Sequence, residues 1–358
     1  MNESNQTEKR KSDHVEICST KDVSARWDFW DDIQLVHSAA PEINFDELET
    51  DVRIFGKDLK APIVIAAMTG GYGTGGKINA SLGKAASEMQ IAIGVGSQRA
   101  ALENPILAET YSILKEFDIP LKIANIGAPQ LVESGNYRDA SDLITRAMEM
   151  INADMIAIHL NYLQEAVQPE GEKNAHGLMS LIRDLATDFP IIVKETGAGM
   201  STELIKTLAK MKVKGVDVGG AGGTSFSAVE YYRALEIGDR LRARLGRTYW
   251  NWGIPTPVSA AIASTYLPTI ATGGIRNGLD VAKAVAIGAT CAGIANRLLV
   301  PAISGVEQTV EELSEIVEEL KVAMFLTGSE NVKSLSAQSP LVFSPTRDWL
   351  AHLLGENI

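Results

Sequence analysis

A (β/α)8 barrel with an N-terminal extension and C-terminal helices is the fold class that three observations predict. From position 61 a short β-branched apolar run, then Gly, Asn, Ser or Thr, then a helix-compatible stretch recurs eight times. Most of the recurrences are separated by roughly 25 to 35 residues, the length of a parallel strand plus its crossover helix. Eight such units match the closure of a barrel, whereas the alternative, an open doubly wound sheet, usually has fewer strands.

The runs, in order, are "APIVIAAM" to Met68, "IAIGVGS" to Ser97, "LKIANIG" to Gly127, "MIAIHLN" to Asn161, "PIIVKET" to Thr196, "GVDVGG" to Gly220, "TIATGG" to Gly274 and "CAGIAN" to Asn296. The barrel is expected over residues 61–330, between an extension at 1–60 and a C-terminal helical segment at 331–358. Val306, Val310, Leu313, Val317, Leu320 and Met324 recur at spacings of three and four, which predicts an amphipathic helix packed on the barrel or on a sister subunit. The long connection between the sixth and seventh runs contains "LRARLGRTYWNWGIPTP", which could be a lid, an oligomer contact or a surface excursion.

Composition excludes several classes. With 45% hydrophobic and 22% charged residues the chain of 358 residues has the make-up of a soluble enzyme, and no apolar run approaches the ~18 residues of a membrane span. The polar start "MNESNQTEKRKSDH" lacks the apolar core of a signal peptide, so a cytoplasmic location is expected. Cys18 and Cys291 stand far apart with no metal-ligand spacing, as suits a reducing compartment. A net charge of −12 argues against nucleic acid, and an anionic substrate would need a local cluster of cations.

Barrel enzymes build their sites at the C-terminal ends of the strands, and that rule sorts the polar residues. Thr69 follows the first run, Ser97 and Arg99 the second, Asn125 lies in the third, Lys194 ends the fifth, and "GGAGGTS" with Thr224 follows the sixth. "TGGIRNG" and "IANR" after the seventh and eighth runs stand where barrels often cradle a phosphate, although glycine-rich turns also serve tight bends alone. FMN suits this layout, with Lys194 near the pyrimidine edge of the flavin; a salt bridge from Lys194 to Glu195 or to another barrel carboxylate is the plainer alternative. After the fourth run, "HLNYLQEAVQPEGE" places His159, Asn161, Gln164 and Glu165 within seven positions. Glu165 and Asn161 offer hard oxygens to Mg2+, which takes one or two carboxylates and leaves its other positions to water and phosphate. Gln164 can hydrogen-bond but scarcely transfer a proton, while His159 could bind phosphate or act as acid or base. An ordinary helix start is the alternative for each of these residues taken singly.

Taken together, "RKSDH" (10–14), "MTGG" (68–71), "GSQRA" (96–100), "HLNYLQE" (159–165), "VKETGAG" (193–199), "GGTSF" (222–226) and "TGGIRNG" (272–278) resemble the type 2, FMN-dependent isopentenyl-diphosphate isomerases over nearly the whole chain. The resemblance implies conversion of isopentenyl diphosphate to dimethylallyl diphosphate with Mg2+ and reduced FMN, NAD(P)H as reductant, and a homotetramer or homo-octamer. It implies Gln164, Lys194 and His159 as catalytic residues, and Arg10, Lys11, Ser97, Gln98, Arg99, His159, Asn161 and Gln164 as substrate ligands. Glu165 with Asn161 would bind the metal. Ala67, Met68, Thr69, Gly70, Ser97, Asn125, Lys194 and Thr224 would hold the flavin, and Gly273, Gly274, Ile275, Arg276, Ala295 and Asn296 its phosphate. Residues around "EKRKSDH", by composition a solvated tail, become a mobile lid on this reading. Phe226 departs from the tryptophan that many relatives carry after "GGTS". The rival reading is a 2-hydroxy-acid oxidoreductase with the same barrel; it needs a histidine base near the end of the sixth strand, and "DVGGAGGTSFSAVE" has none.

Overall fold

The computed structural model describes residues 3–355, with side chains from residue 7 onward. Its centre is a closed parallel barrel of eight strands: β1 (Ile63–Ile65), β2 (Ala92–Gly94), β3 (Lys122–Gly127), β4 (Met155–Leu160), β5 (Ile191–Glu195), β6 (Gly215–Asp217), β7 (Thr269–Thr272) and β8 (Cys291–Ile294). Each strand pairs with its sequence neighbours, and β8 closes on β1 through Gly293 opposite Val64. Helices cross between strands, among them Gly75–Met89, Tyr137–Ile151 and Gly278–Ala286.

Alternation along the strands divides the apolar residues into two layers. Val64, Ala92, Ile123, Met155, Ala157, Ile192 and Ile270 fill the inside of the barrel. Ile63, Ile65, Ile126, Ile156, Ile158 and Val193 face the surrounding helices. Burying each of the Ile, Val and Met side chains favours the fold by about 1.5–3 kcal/mol. A hairpin, Val52–Ile54 with Lys57–Leu59, stops the lower end of the inner layer. Its Phe55 ring lies so near β6 that a Cβ on Gly215 would sit 2.7 Å from it.

The same alternation continues upward into polar residues. Asn125 on β3, His159 on β4, Lys194 on β5 and Asp217 on β6 all follow the inward phase, and the register places His159 opposite Lys194 and Lys194 opposite Asp217. A strand pattern of period two thereby carries four polar side chains from the apolar floor to the mouth.

The amphipathic helix spans Val306–Leu326 and packs on the barrel helices, with Leu313, Leu320 and Met324 fully buried. A Cβ on Gly278 would lie 2.1 Å from the carbonyl oxygen of Ile316, so the approach requires glycine. The long β6–β7 connection forms the helices Phe226–Glu236 and Arg240–Thr248. Trp250 then buttresses the N-terminal segment, its Nε1 donating to the Ser24 carbonyl at 2.8 Å. Residues 331–355 contain the helices Val332–Ser336 and Thr346–Leu354, with Leu341–Val342 pairing with Ile33–Gln34. No helix among the described residues is long and apolar enough to cross a membrane.

Candidate active site

A cavity of about 820 Å³ opens at the C-terminal ends of the strands and draws lining residues from every barrel strand or the turn after it. Its volume falls in the range of small-molecule sites. Among the expected residues it brings together Arg10, Lys11, Ala67, Met68, Thr69, Gly70, Ser97, Arg99, Asn125, His159, Asn161, Gln164, Glu165, Lys194 and Thr224. Gly273, Gly274, Ile275, Arg276, Ala295 and Asn296 line it too.

Gln98 is the exception. Its side chain is fully buried in the wall, where Nε2 donates to the Ala147 carbonyl at 2.8 Å and Oε1 accepts from the Asn125 amide at 2.9 Å. Its neighbours Ser97 and Arg99 line the cavity, but the intervening residue points into the wall, where its amide holds β3 in place; the expectation of substrate contact is corrected.

At the floor of the cavity Lys194 Nζ meets Asp217 Oδ2 at 2.7 Å, both residues being buried. The partner is therefore the β6 carboxylate. Glu195, one residue on, turns outward and gathers the amides of Thr196, Gly197, Ala198 and Gly199 on Oε2, and burial still pushes it up to about 7. Asp217 Oδ1 is buried without a partner, as is Thr69 Oγ1. His159 Nδ1 lies 2.8 Å from Asn125 Oδ1, and Asn125 Nδ2 donates to the Val95 carbonyl at 2.9 Å. That second bond orients the amide, so the proton between the two side chains belongs to His159. Burial, reinforced by the charges of Lys194, Lys11 and Arg10, brings the imidazole down to about 3. It stands neutral here, better suited to orienting a ligand than to serving as a charged anchor.

Asn161 follows β4 at the helix start, and the short helix Tyr162–Val167 turns Gln164 and Glu165 inward. Glu165 Oε1 accepts from Asn161 Nδ2 at 2.7 Å, while Oε2 accepts from Gln168 Nε2 and from the Glu172 amide at 2.8 Å. The "PEGE" loop is what returns to the carboxylate: a Cβ on Gly171 would fall 1.7 Å from the Glu165 carbonyl oxygen, so only glycine permits the approach. Burial raises the Glu165 carboxyl above its ordinary range, against the opposing pull of these donors and of Arg10. Asn161 Oδ1 remains buried without a partner. One carboxylate and one unsatisfied amide oxygen are hard donors that could hold a cation such as Mg2+ if phosphate and water completed its shell. No cluster of three or more His, Cys, Asp or Glu side chains suited to a metal occurs among the described residues.

Gln164 Nε2 donates to Glu230 Oε1 at 3.1 Å. Glu230, on the helix after β6, also receives His14 Nε2 at 2.8 Å and Arg233 Nη1 at 2.6 Å. Burial alone would raise this carboxyl, but His14 and Arg233 outweigh it and hold it at about 2. Neither Glu230 nor Asp217 was among the expected site residues. A signal existed for Asp217, a lone carboxylate in an apolar strand whose burial requires a cation. For Glu230 none existed, because Gln164 and His14 are 66 and 216 positions away and the nearby Arg233 reads as an ordinary i,i+3 helix pair.

The two glycine turns lie side by side. Gly273 and Gly274 take positive φ of 122° and 78°, and a Cβ on Gly223 of the neighbouring turn would stand 2.5 Å from the Gly274 nitrogen. The Arg276 guanidinium is already engaged by Asp28, by Asp31 at 3.1 Å and by Asp280 at 2.8 Å. With its guanidinium so paired, a phosphate at this turn would be met by backbone amides.

The polar N-terminus forms a helix, Glu3–Thr20, laid across the mouth. Lys11 Nζ donates to the carbonyls of Gly70 (2.9 Å) and Ser97 and to the Tyr111 hydroxyl (2.7 Å). Asp13 lies 3.7 Å from Arg233. Burial, aided by the Arg10 charge, lowers the Lys11 ammonium to about 7. An undocked Lys11 keeps its proton up to its ordinary 10.5, so docking gains with pH between about 7 and 10.5 and is level below 7. Trypsin cleavage after Lys9 or Arg10 in the ligand-free protein, normalised to a peptide control, should therefore slow by up to about tenfold per pH unit above 7. A flat or rising cleavage rate would contradict this.

Comparison with known proteins agrees with the geometry. The chain is 46% identical over 343 residues to an isopentenyl-diphosphate delta-isomerase of Thermoplasma volcanium, covering 96% of this chain and 99% of the relative. It is 43% identical over 347 residues to an isopentenyl-diphosphate delta-isomerase of Archaeoglobus fulgidus, covering 96% and 98%. The family model described as FMN-dependent dehydrogenase matches residues 179–340. A mandelate oxidase crystal structure superposes with a TM-score of 0.61 at 15% identity, covering 95% of this chain and 99% of the other, a likeness of fold. By its full-length identity to these relatives and its flavin-barrel architecture, the chain belongs to the isopentenyl-diphosphate delta-isomerase family, in its FMN-dependent type 2 form.

Proposed function

We propose that the protein interconverts isopentenyl diphosphate and dimethylallyl diphosphate by an allylic 1,3-proton transfer, using reduced FMN and Mg2+. The observation that carries this reading is the buried Gln164–Glu165 pair facing the same cavity as Lys194 and the two glycine turns. Ala67 to Gly70, Ser97, Asn125, Lys194 and Thr224 would hold the flavin ring, and Gly273 to Arg276, Ala295 and Asn296 the phosphate end. The unpartnered Thr69 Oγ1 and the glycine-lined turns suit such a ligand. Arg10, Lys11 and Arg99 would meet the diphosphate, with Glu165 and Asn161 on the metal.

The chemistry needs one alkene carbon protonated and a proton removed two carbons away. Gln164 is a poor agent for either, and a histidine as acidic as His159 is a weak base at neutral pH. Reduced flavin, when bound, supplies a proton donor and acceptor and an electron-rich ring opposite developing positive charge. Lys194 contributes a cation to a negatively charged cofactor, while His159 and Gln164 orient substrate. Phe226 supplies the aromatic wall, its ring 6.0 Å from His14. The helix Glu3–Thr20 excludes water once closed. We take NAD(P)H as reductant, the cytoplasm as location and a homotetramer or homo-octamer as assembly, on the strength of the family resemblance. A 2-hydroxy-acid oxidoreductase is disfavoured because the only cavity-lining histidines among the described residues are His14, held to Glu230, and His159.

The test is anaerobic turnover of isopentenyl diphosphate in D2O. Oxidised enzyme should be inactive, one equivalent of dithionite per flavin should switch it on, and deuterium should enter product without further reductant being consumed. Full activity of oxidised enzyme, or one reductant consumed per product, would overturn the reading.

A further inference from the structure

We propose that Trp30 is a positioning residue for the phosphate end of the cofactor, turning the β7 glycine loop so that its amides face the ligand. The inference rests on the flavin reading above. Trp30 lies in the N-terminal extension, far from the glycine turns in sequence, yet it is fully buried against them. Its indole Nε1 donates to the Gly273 carbonyl at 2.9 Å, and its Cδ1 stands 3.2 Å from where a Cβ on Gly274 would be.

The consequence follows from peptide geometry. The Gly273 carbonyl and the Gly274 N–H are opposite edges of one trans peptide plane, so holding the carbonyl toward Trp30 aims the N–H the other way. A carbonyl turned toward a phosphate would repel it, whereas an amide donates to it. The amides of Gly274 and Ile275 donate to no acceptor among the described residues, and both residues line the cavity. Gly223, with no side chain, keeps the space beside the Gly274 nitrogen open.

Trp30 is itself held from two sides. Its carbonyl accepts from Lys283 Nζ at 2.8 Å, and its amide donates to Asp28 Oδ1 at 3.1 Å. Asp28 in turn pairs with Arg276 at the far end of the same loop. Arg276 thus clasps the strap that carries Trp30, and the strap orients the glycines.

The test compares two ligands on apoprotein. FMN and riboflavin share the ring and differ in the phosphate, so the ratio of their dissociation constants reports the cradle alone. Trp30→Phe keeps an aromatic filling and removes the N–H; benzothienylalanine at position 30 does so with the two-ring volume retained, should the phenylalanine variant fold poorly. Either change is expected to reduce the preference for FMN by about tenfold with riboflavin affinity unchanged. A wild-type protein indifferent to the phosphate would overturn the phosphate-turn reading itself. A wild-type preference that survives in the variants, or an equal loss for both flavins, would overturn the role of Trp30.

Discussion

Glu165→Gln is expected to weaken Mg2+-dependent binding of isopentenyl diphosphate by about 100-fold or more while the flavin stays bound. The carboxylate is bonded to Asn161, whose Oδ1 is unpartnered, and a metal needs its formal charge as well as its oxygens. The amide removes that charge. It also sets an NH2 group against Asn161 Nδ2, Gln168 Nε2 or the Glu172 amide, all of which now donate to the carboxylate. Burial holds the Glu165 carboxyl above its ordinary value, so bound metal should lower it, and the apparent affinity for Mg2+ should rise with pH through the acid range. Magnesium titrations of substrate binding, with the visible flavin spectrum as the control for an intact cavity, provide the measurement. An unchanged Mg2+ dependence would remove Glu165 from the metal.

Glu230→Ala should be the most destabilising single change at the site, by about 3–5 kcal/mol, because it strips a buried carboxylate from two basic groups and from Gln164. Arg233 keeps Glu170 at 2.7 Å and so stays partnered, but His14 and the Gln164 amide lose their acceptor. Turnover should fall more than tenfold through a misoriented Gln164. Glu230 sits at about 2 and an unfolded glutamate near 4.5, so its contribution is complete above about 4.5 and fades as the pH drops toward 2. Denaturant unfolding of wild type and variant at pH 7 and pH 3 checks both claims: the stability gap should narrow at the lower pH. A gap that does not depend on pH would mean that the carboxylate charge is not what stabilises the cluster.

Much of this protein was legible in the chain before any coordinates. Eight apolar runs ending in Gly, Asn, Ser or Thr became eight barrel strands, and the polar residues at their ends gathered in one cavity. Local patterns suffice for this because strand alternation and strand-plus-helix length are short-range properties, and closure of the barrel converts eight separate strand ends into one mouth. The exception is instructive: Gln98 stands between two lining residues, yet at the turn into the helix Arg99–Glu103 its side chain points into the wall, where it bonds to Ala147 and Asn125.

What only the tertiary structure decided are the partnerships across long separations. Lys194 had two possible carboxylates, and the register of β5 against β6 selected Asp217. The Arg276 guanidinium is held by Asp28 and Asp31, some 250 positions earlier, a pairing that no local pattern around "TGGIRNG" announces. The N-terminal helix buries Ile17 against Ala228 and Val229, but its polar anchors are carbonyls and a carboxylate supplied by the turns after β1 and β2 and by the helix after β6. Composition and periodicity record what each segment buries, whereas a hydrogen bond or ion pair depends on which segment arrives opposite, and that is set by barrel closure and the loops it brings together.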